Sequence, residues 1–311
     1  MKLNEMKAFS ILYSCIVAAL LTLSCSGDKN AKSTERQELL ADSAQLRIAV
    51  TPTLDCLPVC VASERGFFEE ANLDVRLLPY VAQMDCDTAL QRGHANGIVS
   101  DLVRVHQMNA QGDSLHIITA TDAHWQLLTD TSAHITTLSQ LDDHMLAMTR
   151  FSATHLLSDK MVDSAGIDPD RVFLIQVNDL NVRLRMLRTG IMPALFLPEP
   201  QASKARATNG RVLMDTRERD YRLGVVAFRR SAATAHNITS FMQAYDKAVD
   251  SLNAHGIGRY KEIAERWCDI DRVAADSLKG TQFSHATAPR QSDVRMVDVW
   301  LKRDRKDLVE D

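Results

Sequence analysis

The sequence predicts an α/β protein made of two parallel-rich lobes with a ligand cleft between them. Three observations support this. Between Leu46 and Asp101, short β-branched runs alternate with segments of helical length, the pattern of parallel strands joined by right-handed crossovers. The same alternation restarts at Met145. At 311 residues the chain exceeds what one hydrophobic core usually covers, so two lobes are the default.

Composition narrows the function classes. Hydrophobic residues make up 45% and charged residues 24%, ordinary for a globular domain. A net charge of −4 argues against a nucleic-acid partner, and aromatics at 5% argue against stacking platforms for single strands. Basic residues such as Arg183, Arg185 and Arg188 read as solvated helix faces.

At the N-terminus, Lys2 and Lys7 precede an apolar run from Ala8 to Leu23, too short for a comfortable transmembrane helix and laid out like a secretory signal. The polar stretch 26–45 that follows reads as a flexible tether.

In the first half, Leu46–Val50 is the first strand and Thr51–Asp55 its exit loop. Asp55 suits an N-cap, with Pro58 tolerated in the first helical turn, and as the first acid beyond the strand it also suits ligand contact. Val75–Leu78 and Ile98–Val99 are the next strands, with a helix from about Met84 to Gly93 between them. Ser100 and Asp101 leave the third strand where a ligand needs hydrogen-bond partners, because ligands of open parallel sheets gather at carboxyl strand ends. Leu115–Thr121 is a fourth strand ending at Asp122, and Trp125–Thr129 a fifth.

The second unit runs 131–219, so that 46–130 and 220–311 form the first. In it Met145–Met148 is a strand, followed by a helix ending at Ala165 and stopped by Gly166. Ser152 and Thr154 open that helix, where free backbone N–H groups and hydroxyls make an anion site that is compatible with N-capping by Ser152. Val172–Val177 is a strand with Asn178-Asp179 as its exit loop, and Leu180–Arg188 is a helix. Ile191–Leu197 leads to Glu199-Pro200. After the return near 215–222, Leu223–Phe228 is a strand, and Ile238, Phe241, Tyr245, Val249 and Leu252 stripe one face of a helix. Trp267 and Trp300 fall within helical segments and read as core.

Two phrases carry a family resemblance: the first strand and helix ending in Gly66-Phe67-Phe68 with Leu73-Asp74-Val75 after it, and the strand Ala194–Leu197 running into Pro198-Glu199-Pro200. They resemble the solute-binding proteins of ABC importers, in the group for sulfonates, taurine, nitrate and thiamine-pyrimidine precursors. The resemblance spans roughly 46–300. It implies a type II periplasmic binding fold, a small-molecule solute, a permease and ATPase complex as partners, no catalysis and no cofactor. Leu21-Thr22-Leu23-Ser24-Cys25 resembles a lipoprotein cleavage box, so 1–25 is expected to be a signal peptide ending in the lipidated Cys25, although Thr22 replaces the usual leucine; plain signal cleavage and an uncleaved membrane anchor are the alternatives. That places the protein in the periplasm or at the cell surface, held to a bacterial membrane by lipid and otherwise a monomer.

The expected ligand contacts are Thr51, Asp55, Ser100, Asp101, Asp122, Ser152, Thr154, Asn178 and Glu199, with Glu199 alternatively held by nearby backbone N–H groups. Several acids around one cleft, with Arg150 the one obvious cation beside these loops, favour an amine-bearing or zwitterionic solute over a simple oxyanion. For the cysteines of an exported chain a disulfide is considered first, and Cys56–Cys86 is the pair their placement favours. A soft-metal site has no CxxC or His-rich support, and free buried thiols stand beside both readings. The rival class is an enzyme on the same fold, of the kind that makes pyrimidine precursors or acts in menaquinone synthesis. The export signal argues against such cytoplasmic chemistry, and no GxSxG elbow or phosphate-binding loop is present. An extracytoplasmic sensor is a third possibility.

Overall fold

A computed structural model describes residues 45–310, with side chains through Arg303. The predicted signal peptide, Cys25 and the tether lie outside the described residues. Among those described, no helix is long and apolar enough to cross a membrane.

The first lobe is a five-stranded sheet. Its strands are β1 (Leu46–Val50), β2 (Val75–Pro79), β3 (Gly97–Asp101), β4 (Leu115–Ala120) and β10 (Gly224–Arg229), in the order β2-β1-β3-β10-β4. β1 pairs in parallel with β2 and β3, whereas β10 enters antiparallel between β3 and β4. β1 is apolar on both faces because both are covered. Ile48 and Val50 face a cluster with α1 (Leu57–Glu64), α8 (Ala235–His255) and α9 (Lys261–Cys268), while Ala49 faces α3 (Gln83–Gln91) and α4 (Leu102–Ala110). On the first face Phe241 stacks on Phe68 at 5.5 Å and meets Phe228 edge-on at 5.1 Å. Complete burial of one such ring stabilises by about 1.5–3 kcal/mol.

The second lobe repeats the design. Its strands are β5 (Trp125–Asp130), β6 (His144–Met148), β7 (Val172–Gln176), β8 (Ala194–Pro198) and β9 (Gly210–Asp215), in the order β7-β6-β8-β5-β9. Here β5 is the inserted antiparallel strand, between β8 and β9. Its helices include α5 (Ala153–Ala165), α6 (Leu180–Arg188) and α7 (Gln201–Arg206). Gly166 ends α5 in the left-handed conformation, at φ 66°, as its sequence position predicts.

Two expectations need correction. The 130/131 boundary is too late, because β5 hydrogen-bonds within the second sheet and the chain crosses between lobes at 121–124. β9 was not anticipated at all; its Gly-Arg-Val-Leu-Met-Asp run is half-exposed and becomes a strand by pairing with β5. The return crossing lies between β9 and β10.

The lobes touch at several points. Leu54 N–H donates to the Glu199 carbonyl at 2.9 Å, and the Gln201 side-chain amide donates to the Pro52 carbonyl at 3.0 Å. Lys204 on α7 reaches Asp269 at 2.8 Å and Asp271 at 3.4 Å in the first lobe. The last helix, α11 (Gln291–Glu310), bonds both lobes: Asp298 pairs with His106 of α4, and the Trp300 indole N–H donates to Asp159 of α5 at 2.7 Å. Trp300 is buried, as its helical spacing predicts.

The cysteines do not follow the favoured pairing. Cys56, Cys60, Cys86 and Cys268 are all free and buried. Cys56 lies in the cluster on one face of the first sheet and Cys86 in the cluster on the other, so the sheet separates them.

Gly224 begins β10 where the two crossings meet. A Cβ there would lie 2.2 Å from Thr121 Oγ1 and 2.4 Å from Ala123 Cβ. Gly224→Ala is therefore expected to cost about 1–3 kcal/mol by overpacking. Denaturant titration checks this, and an unchanged midpoint would mean the crossings have room to separate.

Candidate functional site

Because both sheets send their carboxyl strand ends toward the gap between lobes, loop residues from each converge on one cavity that opens to solvent. The first lobe contributes Thr51, Thr53 and Asp55 beyond β1, Gln83 at the start of α3, and Ser100 and Asp101 at the end of β3. The second contributes Thr149, Ser152, Thr154 and Asn178 at strand exits, and Arg183 from α6.

Seven of the nine expected positions thus line one cavity: Thr51, Asp55, Ser100, Asp101, Ser152, Thr154 and Asn178. Asp122 and Glu199 do not. Asp122 accepts from the Ser284 amide at 2.6 Å and its hydroxyl at 2.7 Å, tying the crossing to the C-terminal loop. Glu199, only 3% exposed, takes the alternative role: its two oxygens accept from the Ser203 amide and from Arg206, each at 2.9 Å. Both acids satisfy the protein rather than face the cavity. The Glu199–Pro200 peptide is cis. Arg150 is exposed and outside the cavity lining.

The first-lobe wall is acidic. Asp55 is buried, accepts from Thr121 Oγ1 at 3.1 Å, and has its pKa raised chiefly by burial. Asp101 caps α4 by accepting from the Arg104 amide at 3.0 Å. The backbone amide of Ala153, the first residue of α5, also favours its ionised form. Burial outweighs these bonds and raises its pKa to about 6. The guanidinium of nearby Arg104 is occupied by Asp87.

The second-lobe wall has hydroxyls and a cation. Ser152 caps α5, its oxygen accepting from the Thr154 amide at 3.1 Å while its hydroxyl donates to the Thr149 carbonyl at 2.7 Å. Thr154 Oγ1 accepts from the Thr149 amide at 2.9 Å. These bonds hold the β6–α5 turn in one shape. Arg183 is 1% exposed; it donates to the carbonyls of Val177 at 2.6 Å and Phe196 at 2.9 Å, and to Thr149 Oγ1. Among the described residues no acid pairs with it, and burial lowers its pKa to about 9.

Arg183 overturns the reading of Arg183, Arg185 and Arg188 as one solvated face. Arg185 and Arg188 are exposed, but Arg183 shares the inward stripe of α6 with Leu184 and Leu187. That i, i+4 relation to Leu187 was the available signal. Gln83 and Thr149 were also missed, although each sits at an element end. Gln83 donates to Ser100 Oγ at 3.2 Å and so orients a residue that was anticipated.

Asp101 gives a pH prediction. Between the ordinary carboxylate value of 3.8 and about 6 the folded protein holds a proton that the unfolded chain has released, so stability falls as pH rises through that window. The full cost above it is on the order of 3 kcal/mol. Asp101→Asn should flatten this slope and make the protein more stable than wild type at pH 7, with Asp55 keeping part of the dependence. Urea denaturation across the window checks this; parallel slopes for both proteins would refute it.

Residues 53–255 match the family model described as NMT1/THI5 like. No curated protein matches the sequence significantly. Among solved structures, the ligand-binding component of an ABC-type import system from Staphylococcus aureus, with zinc bound, superposes with a TM-score of 0.70 at 15% identity, covering 84% of this chain and 92% of the other. The periplasmic aliphatic sulphonate binding protein of Escherichia coli gives 0.68 at 16% identity over 84% and 88%. The periplasmic nitrate-binding protein of Synechocystis gives 0.65 at 13% identity over 80% and 74%. The likeness places this chain in the periplasmic binding protein fold, and the family match over most of its length identifies it as a member of the NMT1/THI5-like family.

Proposed function

We propose that this protein is an extracytoplasmic solute-binding lipoprotein, which captures a small polar molecule and delivers it to the permease and ATPase of an ABC importer. The observation that carries the reading is a cavity between the two lobes, walled from both sides by strand exits. The neighbours in the fold support it, since their descriptions name binding components of import systems and periplasmic binding proteins. Hinge motion about the two crossings is the step a permease senses, and a monomer suffices for it. The first-lobe acids, Asp55 and Asp101, favour an amine-bearing or zwitterionic solute over a simple oxyanion. Cys25 is the lipid site, which holds the protein to a bacterial membrane in the periplasm or at the cell surface.

Two measurements test this. A thermal-shift panel of sulfonates, amines, amino acids and thiamine precursors should contain a compound that raises the melting temperature, since ligand binding stabilises by mass action. A flat response across the panel counts against solute capture. Cys25→Ala should release the protein from the membrane fraction of expressing cells, and undiminished retention would contradict lipid anchoring.

A further inference from the structure

A second cavity opens at the crossings between the lobes. It is walled by Asp122 and His124 of the outbound crossing, by Thr216, Arg217 and Tyr221 of the return crossing, and by 280–282 of the C-terminal loop. Ala123 lines both this cavity and the solute cavity, whereas His124 lines only this one. His124 is 4% exposed, and its Nε2 is buried without a hydrogen-bond partner among the described residues. A polar nitrogen left in that state carries its full desolvation cost.

Charge around this cavity is unequally committed. Asp122 is held by Ser284, and Asp220 by Arg290 at 2.6 Å with Arg222 beside it at 3.5 Å. The Arg217 backbone amide donates to Asp215 at 2.8 Å, but its exposed guanidinium has no ion-pair partner among the described residues. Burial lowers the His124 pKa and the Arg217 charge lowers it further, so the field of that guanidinium reaches the ring. Asp215 and Glu199 act in the opposite sense. Both are occupied, Asp215 by Gln126 at 2.7 Å and Glu199 by Ser203 and Arg206. What stays unmatched is one cation and one ring nitrogen, on different crossings of the same cavity.

We infer that the crossings form a second ligand site, which takes a small inorganic oxyanion of the phosphate or sulfate class between Arg217 and His124. The guanidinium fork suits two oxygens of such an ion, and Nε2 donates to a third in the tautomer that carries its proton there. The bound ion joins the outbound crossing to the return crossing. Its site is separate from solute capture and does not depend on it.

The test titrates the protein with sodium phosphate or sodium sulfate, against sodium chloride at matched ionic strength, by calorimetry and thermal shift. Both oxyanions should raise the melting temperature saturably while chloride does not. Arg217→Gln should weaken the oxyanion at least about tenfold, and the exposed position keeps the fold out of the comparison. Ser152→Ala, in the solute cavity, should leave that affinity unchanged. In proton NMR the His124 ring signal, identified by its loss in His124→Gln, should move as phosphate is added to wild type and stay in place in Arg217→Gln. The Arg217→Gln titration remains decisive if His124→Gln does not fold. An equal response to chloride and oxyanions, wild-type affinity in Arg217→Gln, or a stationary His124 signal overturns the inference. Loss of the response in Ser152→Ala alone also overturns it, because the ion then lies in the solute cavity. None of these outcomes bears on solute capture, which the compound panel decides.

Discussion

The architecture depends on one exchange made twice: each sheet accepts an antiparallel strand that the chain delivers after crossing from the other lobe. β10 enters between β3 and β4, and β5 between β8 and β9. The first lobe is therefore built from two stretches of chain with the second lobe inserted between them, and the two crossings lie together. Gly224 is the point of closest approach, with no room for a side chain against Thr121 and Ala123. Strand exits from both sheets then face one another across a gap, because the chain cannot cross twice in one place and leave the lobes turned apart.

The same constraint sorts the acids. Asp122 and Glu199 both follow strands on the cleft side, yet each is used to hold a crossing or a loop: Asp122 binds Ser284, and Glu199 binds Ser203 and Arg206. Asp55 and Asp101 remain on the cavity wall, where burial raises the pKa of each. The cleft is thus less acidic than a count of loop carboxylates implies. Its balance is further altered by Arg183, whose desolvated guanidinium bonds only to neutral oxygens. The chain belongs to the NMT1/THI5-like family and shares its fold with periplasmic sulphonate- and nitrate-binding proteins.

Strand and helix order were legible because they follow from local pattern. β-branched runs, Gly166 at a helix end and the stripe from Phe241 to Leu252 each declare themselves within a few residues. Strand-exit residues such as Ser100, Asp101 and Ser152 were legible for the related reason that the fold class dictates where such loops point. β9 was not, since a half-exposed strand made by pairing with β5 has little pattern of its own. The side on which Cys56 and Cys86 fall was equally hidden, because proximity along adjacent elements does not say which face of a sheet a side chain enters.

By itself, the sequence determined the α/β class, the repetition of the design in two lobes and the chain positions from which a binding site is assembled. All of these rest on interactions between residues close in the chain. Only the tertiary structure decided that β5 belongs to the second lobe, that Glu199 and Asp122 serve the scaffold, and that Arg183 is a buried cation on the cavity wall. The physical reason is that desolvation and charge pairing are set by whatever else arrives at a site, and at this site the neighbours come from chain stretches as far apart as Thr51 and Pro198.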